Sequence, residues 1–237
     1  MLTPDGRVIM ISGANRGIGF AVAHRLHEAG YTLSLGARDP DSLAKVTEGW
    51  DTARVLAAQY DAEDQETHRQ CVAATIDRFG RIDGLVNNAG MAASVSVEDD
   101  NDEVLDRMWA VNVKGPLSMT RSALPHLRRS GAGRVINVAS LAGKAVYGSG
   151  IGYSMTKFAA VALSHATRHA GWEDGVRCTA LCPGYVATDM TANVESFPRE
   201  KMITPEDMAE LVATLFKLSN NASIAELTIN SRDDVMM

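Results

Sequence analysis

Apolar, β-branched runs recur along the chain. They are residues 7–12 (RVIMIS), 31–36 (YTLSLG), 54–60 (RVLAAQY), 82–88 (IDGLVNN), 133–140 (GRVINVAS), 176–182 (VRCTALC) and 224–230 (IAELTIN). Each has the length and content of a buried strand. Between them lie stretches with helical spacing. Residues 19–30 place Phe20, Ala23, His24 and His27 at that spacing, and Gly30 suits the stop. Residues 64–80 repeat the design and end at Gly80. The span 102–129 is helical in composition, with a kink or turn expected at Pro125. The most apolar helix, 153–171, is expected to be largely buried.

Strand and helix in alternation predict a parallel sheet covered on both faces. Seven strands and about six helices fill the chain, with no repeat, linker or low-complexity segment. The reading is one α/β domain over 1–237, doubly wound, with helices on both faces.

Composition narrows the partners. The chain has 237 residues, 46% hydrophobic, enough for one sizeable core. Its net charge is -6 and it has no long basic run. Nucleic acid and anionic membrane surfaces are therefore not expected partners. No apolar run is long enough for a transmembrane helix, and the start does not read as a signal peptide. Cys71, Cys178 and Cys182 form no CxxC pair and read as buried free thiols of a cytoplasmic protein.

The first strand runs into glycines at 13, 17 and 19 and then a helix. Gly13 lets the chain turn sharply. Gly17 and Gly19 remove side chains where a diphosphate approaches the helix N-terminus, whose free N–H groups and dipole favour anionic oxygens. The spacing is G-x3-G-x-G, and a tight structural turn is the alternative. After the second strand, Ala37 stands where a ribose-binding acid is expected, followed by Arg38. Arg16 lies in the glycine turn itself. Two guanidiniums suit a 2′-phosphate, which favours NADP. Asp39, next to Arg38, leaves NAD open.

His165 and His169 stand at i,i+4 without the intervening glutamate of a zinc protease, so they read as a solvated or interface face. The acidic run 98–103 precedes a helix and suits its dipole rather than a calcium ion. Met236 and Met237 carry no address signal. No metal is expected.

Seven segments in order resemble the short-chain dehydrogenase/reductase family over nearly the whole chain: 12–19 (SGANRGIG), 60–64 (YDAED), 87–90 (NNAG), 112–115 (NVKG), 136–143 (INVASLAG), 153–157 (YSMTK) and 183–190 (PGYVATDM). The resemblance implies a Rossmann-type fold and roles for residues. Gly13, Asn15, Arg16, Gly17, Ile18, Gly19 and Arg38 would hold the phosphates. Asp61 and Ala62 would take the adenine, and Asn88, Ala89 and Gly90 would line the ribose and stabilise the sheet. Pro183, Gly184, Val186 and Thr188 would hold the nicotinamide. Asn112, Ser140, Tyr153 and Lys157 match the four catalytic positions, Tyr153 and Lys157 also contacting the cofactor. The family also implies a homodimer or homotetramer through helices around 102–129 and 153–172, and a flexible substrate cap about 189–204. The last strand lacks the family's flanking glycines.

A helix sets Tyr153 and Lys157 on one face. A nearby ammonium favours the phenolate, which suits a group that must trade a proton. The expected reaction is hydride transfer between NADP(H) and a carbonyl or secondary alcohol, with Tyr153 as acid/base and Ser140 orienting the oxygen. In the family, Asn112 fixes a water that links Lys157 to solvent. Met91, Ala93, Leu141, Tyr147, Tyr185 and Met190 are expected around a small-molecule substrate. The alternatives are a non-catalytic NAD(P)-binding sensor and an NAD-retaining sugar-nucleotide epimerase, for which the chain has no second domain.

Overall fold

A computed structural model describes residues 1–100 and 102–231. Asn101, within the acidic run, and Met236 and Met237 lie outside them. Seven strands alternate with seven helices: β1 (Val8–Ser12), α1 (Gly17–Glu28), β2 (Thr32–Ala37), α2 (Pro40–Val46), β3 (Val55–Gln59), α3 (Gln65–Phe79), β4 (Gly84–Asn87), α4 (Glu103–Trp109), α5 (Gly115–Arg129), β5 (Arg134–Val138), α6 (Ile151–Gly171), β6 (Arg177–Pro183), α7 (Pro205–Lys217) and β7 (Glu226–Ile229). All pairings are parallel and the order is β3-β2-β1-β4-β5-β6-β7. The chain reverses its direction of winding between β3 and β4. This leaves a crevice beyond the carboxyl ends of β1 and β4, where such sheets take ligands.

Strand side chains alternate between two cores. Ile9, Ile11, Leu33, Leu35, Val86 and Leu181 pack with Val22 and Leu26 of α1 and with Met208, Val212 and Phe216 of α7. On the other face Met10, Leu85, Val135 and Cys178 meet Cys71 and Val72 of α3 and Met119, Ala123 and Leu127 of α5. The stripe Phe20, His24 and His27 has its own partner. It forms an aromatic cluster on Trp50, with His27 stacked at 4.6 Å between centroids.

Two helical expectations are corrected. The chain neither turns nor ends its helix at Pro125. α5 runs through it, because Pro125 and Arg121, whose carbonyl loses its partner, are both exposed to water. The irregularity lies earlier, in a π-turn at Ala110–Lys114 that joins α4 to α5. Nor is α6 largely buried. Its buried face is small and polar (Ser154, Thr156, Lys157, Ala160, Ser164, Thr167), while Met155 and Phe158 are exposed. Among the described residues no helix is long and apolar enough to cross a membrane, and no cluster of His, Cys, Asp and Glu could hold a metal.

Candidate active site

One continuous cleft of about 1050 Å³ runs across the carboxyl ends of the strands. Its floor at β1 is the glycine turn. Gly13 has φ +66° and Gly17 φ +54°, left-handed values that a side chain resists. The turn is laced to β4. Asn88 Nδ2 donates to the carbonyls of Ser12 and Gly13, both at 3.0 Å, and Ser12 Oγ accepts from the backbone N–H of Asn88 and Ala89. α1 begins here with no capping side chain and no acid in its first turn. Such an end suits an anion.

Gly19 acts differently from the sequence expectation. It does not line the cleft. A Cβ there would lie 2.2 Å from the Gly13 carbonyl oxygen, so its lack of a side chain lets α1 pack on its own loop. Gly13, Asn15, Arg16, Gly17 and Ile18 do line the cleft, as do Arg38, Asp61, Ala62, Asn88, Ala89 and Gly90.

Beyond β2, Asp39 caps α2, its carboxylate accepting from Asp41 N at 3.0 Å. Asn15 Nδ2 donates to Ser42 Oγ at 3.1 Å, tying the glycine turn to α2. Beyond β3, the Asp61 carboxylate accepts from Glu63 N at 3.0 Å. Behind it, buried His68 donates through Nε2 to the Asp61 carbonyl at 2.7 Å and stacks on Tyr60. Burial holds the His68 imidazole below its ordinary value.

Ser140, Tyr153 and Lys157 line the other end. Ser140 follows the end of β5 by two residues, still in extended geometry. Its Oγ accepts from Ala142 N at 3.1 Å, capping a 3₁₀ turn, and reaches the Pro183 carbonyl at 3.5 Å. That turn is pressed onto α6, since a Cβ on Gly143 would lie 2.6 Å from the Lys157 carbonyl oxygen. Lys157 is buried. Its Nζ donates to the Val138 carbonyl at 2.9 Å and stands 5.5 Å from the Tyr153 ring centroid. Asn112 is not on the wall. It sits behind, in the π-turn, its Oδ1 accepting from Met91 N at 2.9 Å and its Nδ2 donating to Met91 O at 2.8 Å and Thr156 Oγ1 at 3.1 Å. These bonds engage its carboxamide with protein groups. Next to Ser140, burial pushes the Cys182 thiol up to about 11, so it stays protonated and unreactive.

Pro183, Gly184, Val186 and Thr188 continue the wall past β6. Val186 pairs with Ile203, and Phe197 stacks on Tyr185 at 5.7 Å, so residues 189–204 fold back over the cleft as a strap with two 3₁₀ turns. Arg16 meets Asp189 of that strap at 3.3 Å, both exposed. Met91, Leu141, Tyr147, Tyr185 and Met190 line the cleft; Ala93 does not, and Ala92 takes its place. The chain leaves the wall there because Met91 is pinned to Asn112 on both sides of its backbone.

This arrangement can be compared with known proteins. The profile of the short chain dehydrogenase family matches residues 7–199. The chain belongs to the short-chain dehydrogenase/reductase family of oxidoreductases. An agropine synthesis reductase of Rhizobium rhizogenes is 43% identical over 218 residues, 92% of this chain and 50% of that protein. The chain thus spans about half the length of that relative. An uncharacterized oxidoreductase of Staphylococcus epidermidis is 31% identical, over 94% of this chain and 96% of its own length. Among solved structures, an alcohol dehydrogenase from Thermococcus sibiricus complexed with 5-hydroxy-NADP superposes with a TM-score of 0.85 at 32% identity, covering 94% and 95% of the two chains. A 3-ketoacyl-(acyl-carrier-protein) reductase from Brucella melitensis complexed with NADH gives 0.90 at 26% identity, covering 98% and 100%.

Several lining residues escaped the sequence reading. Glu63 lies within the quoted segment 60–64 and Ser42 stands four positions beyond Arg38, so proximity alone was a usable signal. Arg107, Val111, Asn230 and Ser231 also line the cleft. No motif marks them; only the packing of α4 and β7 brings them in. His165, read as part of a solvated or interface face, is partly exposed and meets Glu226 of β7 at 2.6 Å, and the same carboxylate takes Lys144.

Proposed function

We propose that this chain transfers a hydride between NADP(H) and a carbonyl or secondary alcohol. The observation that supports it most is that one cleft carries both an uncapped glycine turn and the Ser140, Tyr153 and Lys157 set. The residues present fit a dinucleotide: a left-handed glycine turn at one end, a hydroxyl pair and a buried ammonium at the other. NADP is favoured because Arg16 and Arg38 both line the nucleotide end, while the Asp39 carboxylate is engaged as a helix cap.

The bound nicotinamide supplies or accepts the hydride. Tyr153 gives its proton to the oxygen of the reduced carbonyl, and takes it back in the reverse direction. Ser140 donates to the same oxygen and orients it. Lys157, anchored by Val138, presents its ammonium beside the phenol and holds the nicotinamide ribose. Asn112 anchors Met91 and Thr156, and so the floor beneath Lys157. Substrates of this mostly apolar end would be small uncharged ketones or the matching alcohols.

Calorimetry with NADPH and NADH, then turnover on a panel of ketones, tests the reading. Tyr153→Phe should keep NADPH binding and lose turnover. Binding without turnover in the wild type would instead favour a sensor, and a preference for NADH would overturn the roles of Arg16 and Arg38.

A further inference from the structure

On the cofactor reading above, the adenine lies beside Asp61 and Ala62. α5 starts directly on that turn: a Cβ on Gly115 would lie 2.9 Å from the Ala62 carbonyl oxygen. The helix therefore runs past the adenine end of the cleft. Val111 and Arg107, one and two turns back, both face into it. Arg107 Nε is 3.4 Å from Glu63 Oε2, a residue of the Asp61–Ala62 turn that also lines the cleft. This pair ties the two walls together at the mouth. Because the ion pair uses Nε, the terminal amino groups and the flat face of the guanidinium are left for a ligand.

We propose that Arg107 is a further cofactor-binding residue, its guanidinium laid against the adenine ring and held in place by Glu63. Val111 forms the apolar wall beside it. A planar cation suits a base, since it attracts the π face and excludes water from it. Glu63 is a positioning residue that neutralises Arg107 and fixes its plane. The ion pair itself, more than a third exposed on both sides, adds little to stability.

The test uses calorimetry with NADPH, adenosine 2′,5′-bisphosphate and reduced nicotinamide mononucleotide. Arg107→Met should weaken the first two by about three- to tenfold and leave the affinity for the mononucleotide unchanged. Arg107→Lys should behave like Arg107→Met, because an ammonium lacks the flat face. Glu63→Gln should show a smaller loss on the same two ligands. Wild-type affinity in Arg107→Met, or in Arg107→Lys, would overturn the stacking role. A wild-type protein that binds neither NADPH nor NADH would instead remove the cofactor reading on which the proposal rests.

Discussion

The carboxamide of Asn112 meets the backbone of Met91 twice, accepting at 2.9 Å and donating at 2.8 Å. It thereby pins the loop after β4 to the π-turn between α4 and α5. Asn112→Ala leaves the part-buried Met91 backbone groups and the buried Thr156 hydroxyl without this partner. Each unsatisfied buried group costs about 1–3 kcal/mol. A thermal melt should fall by several degrees, at about 2–4 °C per kcal/mol for a chain of this size. Turnover should fall further than NADPH affinity, because Lys157 and Met91 share that floor. An unchanged melt would show that these bonds carry no net stability.

Gly19→Ala tests the loop packing. The new Cβ would collide with the Gly13 carbonyl oxygen and with Asn88 Nδ2 at 2.5 Å. Both belong to the lacing between β1 and β4, so the glycine turn must shift. NADPH affinity should drop at least about tenfold and the melt should fall by a clear margin. Retained affinity would mean that the turn relaxes freely.

Asp189→Asn probes the strap. Arg16 meets Asp189, and on the proposed function it would be shared between that carboxylate and a 2′-phosphate. Removing that carboxylate frees the guanidinium and takes one negative charge from beside the phosphates. NADPH should bind about two- to fivefold tighter, on the scale of an exposed ion pair. NADH should not change, and an equal gain for both would assign the effect to general charge.

His68 gives a pH signature. Burial depresses its folded-state value, so the unfolded chain binds the extra proton first. The native state is then fully favoured above the ordinary imidazole range, near pH ~6.5, and loses stability as pH falls below it. Burial also lowers His27 and His126, which add in the same sense. Melting temperature should decline between about pH 7 and pH 5. His68→Gln, which keeps a donor for the Asp61 carbonyl, should flatten that decline. An identical slope would place the titration elsewhere.

The sheet was legible because each strand is a short apolar run and each helix a periodic one; the strand order was not, because pairing between distant strands leaves no local mark. The glycine turn was legible as a turn, yet the role of Gly19 was not, since only backbone approach shows what a missing Cβ avoids. Pro125 misled for a related reason: a proline breaks a helix where its lost bond is buried, and here that face is wet. Asn112 was named from its motif, but its bonds to Met91 depend on a π-turn that no spacing announces. Arg107 carries no local signal at all, because its place in the cleft is set by the contact of Gly115 with Ala62.

The winding order leaves a division of labour along the chain. Between Gly13 and Glu63 the cleft is lined from β1, β2 and β3, and from Asn88 onward by the segments that follow β4, β5, β6 and β7. On the proposed function, coenzyme preference and reacting chemistry would be written in successive stretches of sequence, with Arg107, Val111 and the Arg16–Asp189 pair among the crossing points. A chimera that exchanged only the leading third would retune the former and inherit the latter intact, provided those crossing contacts were matched to the new half.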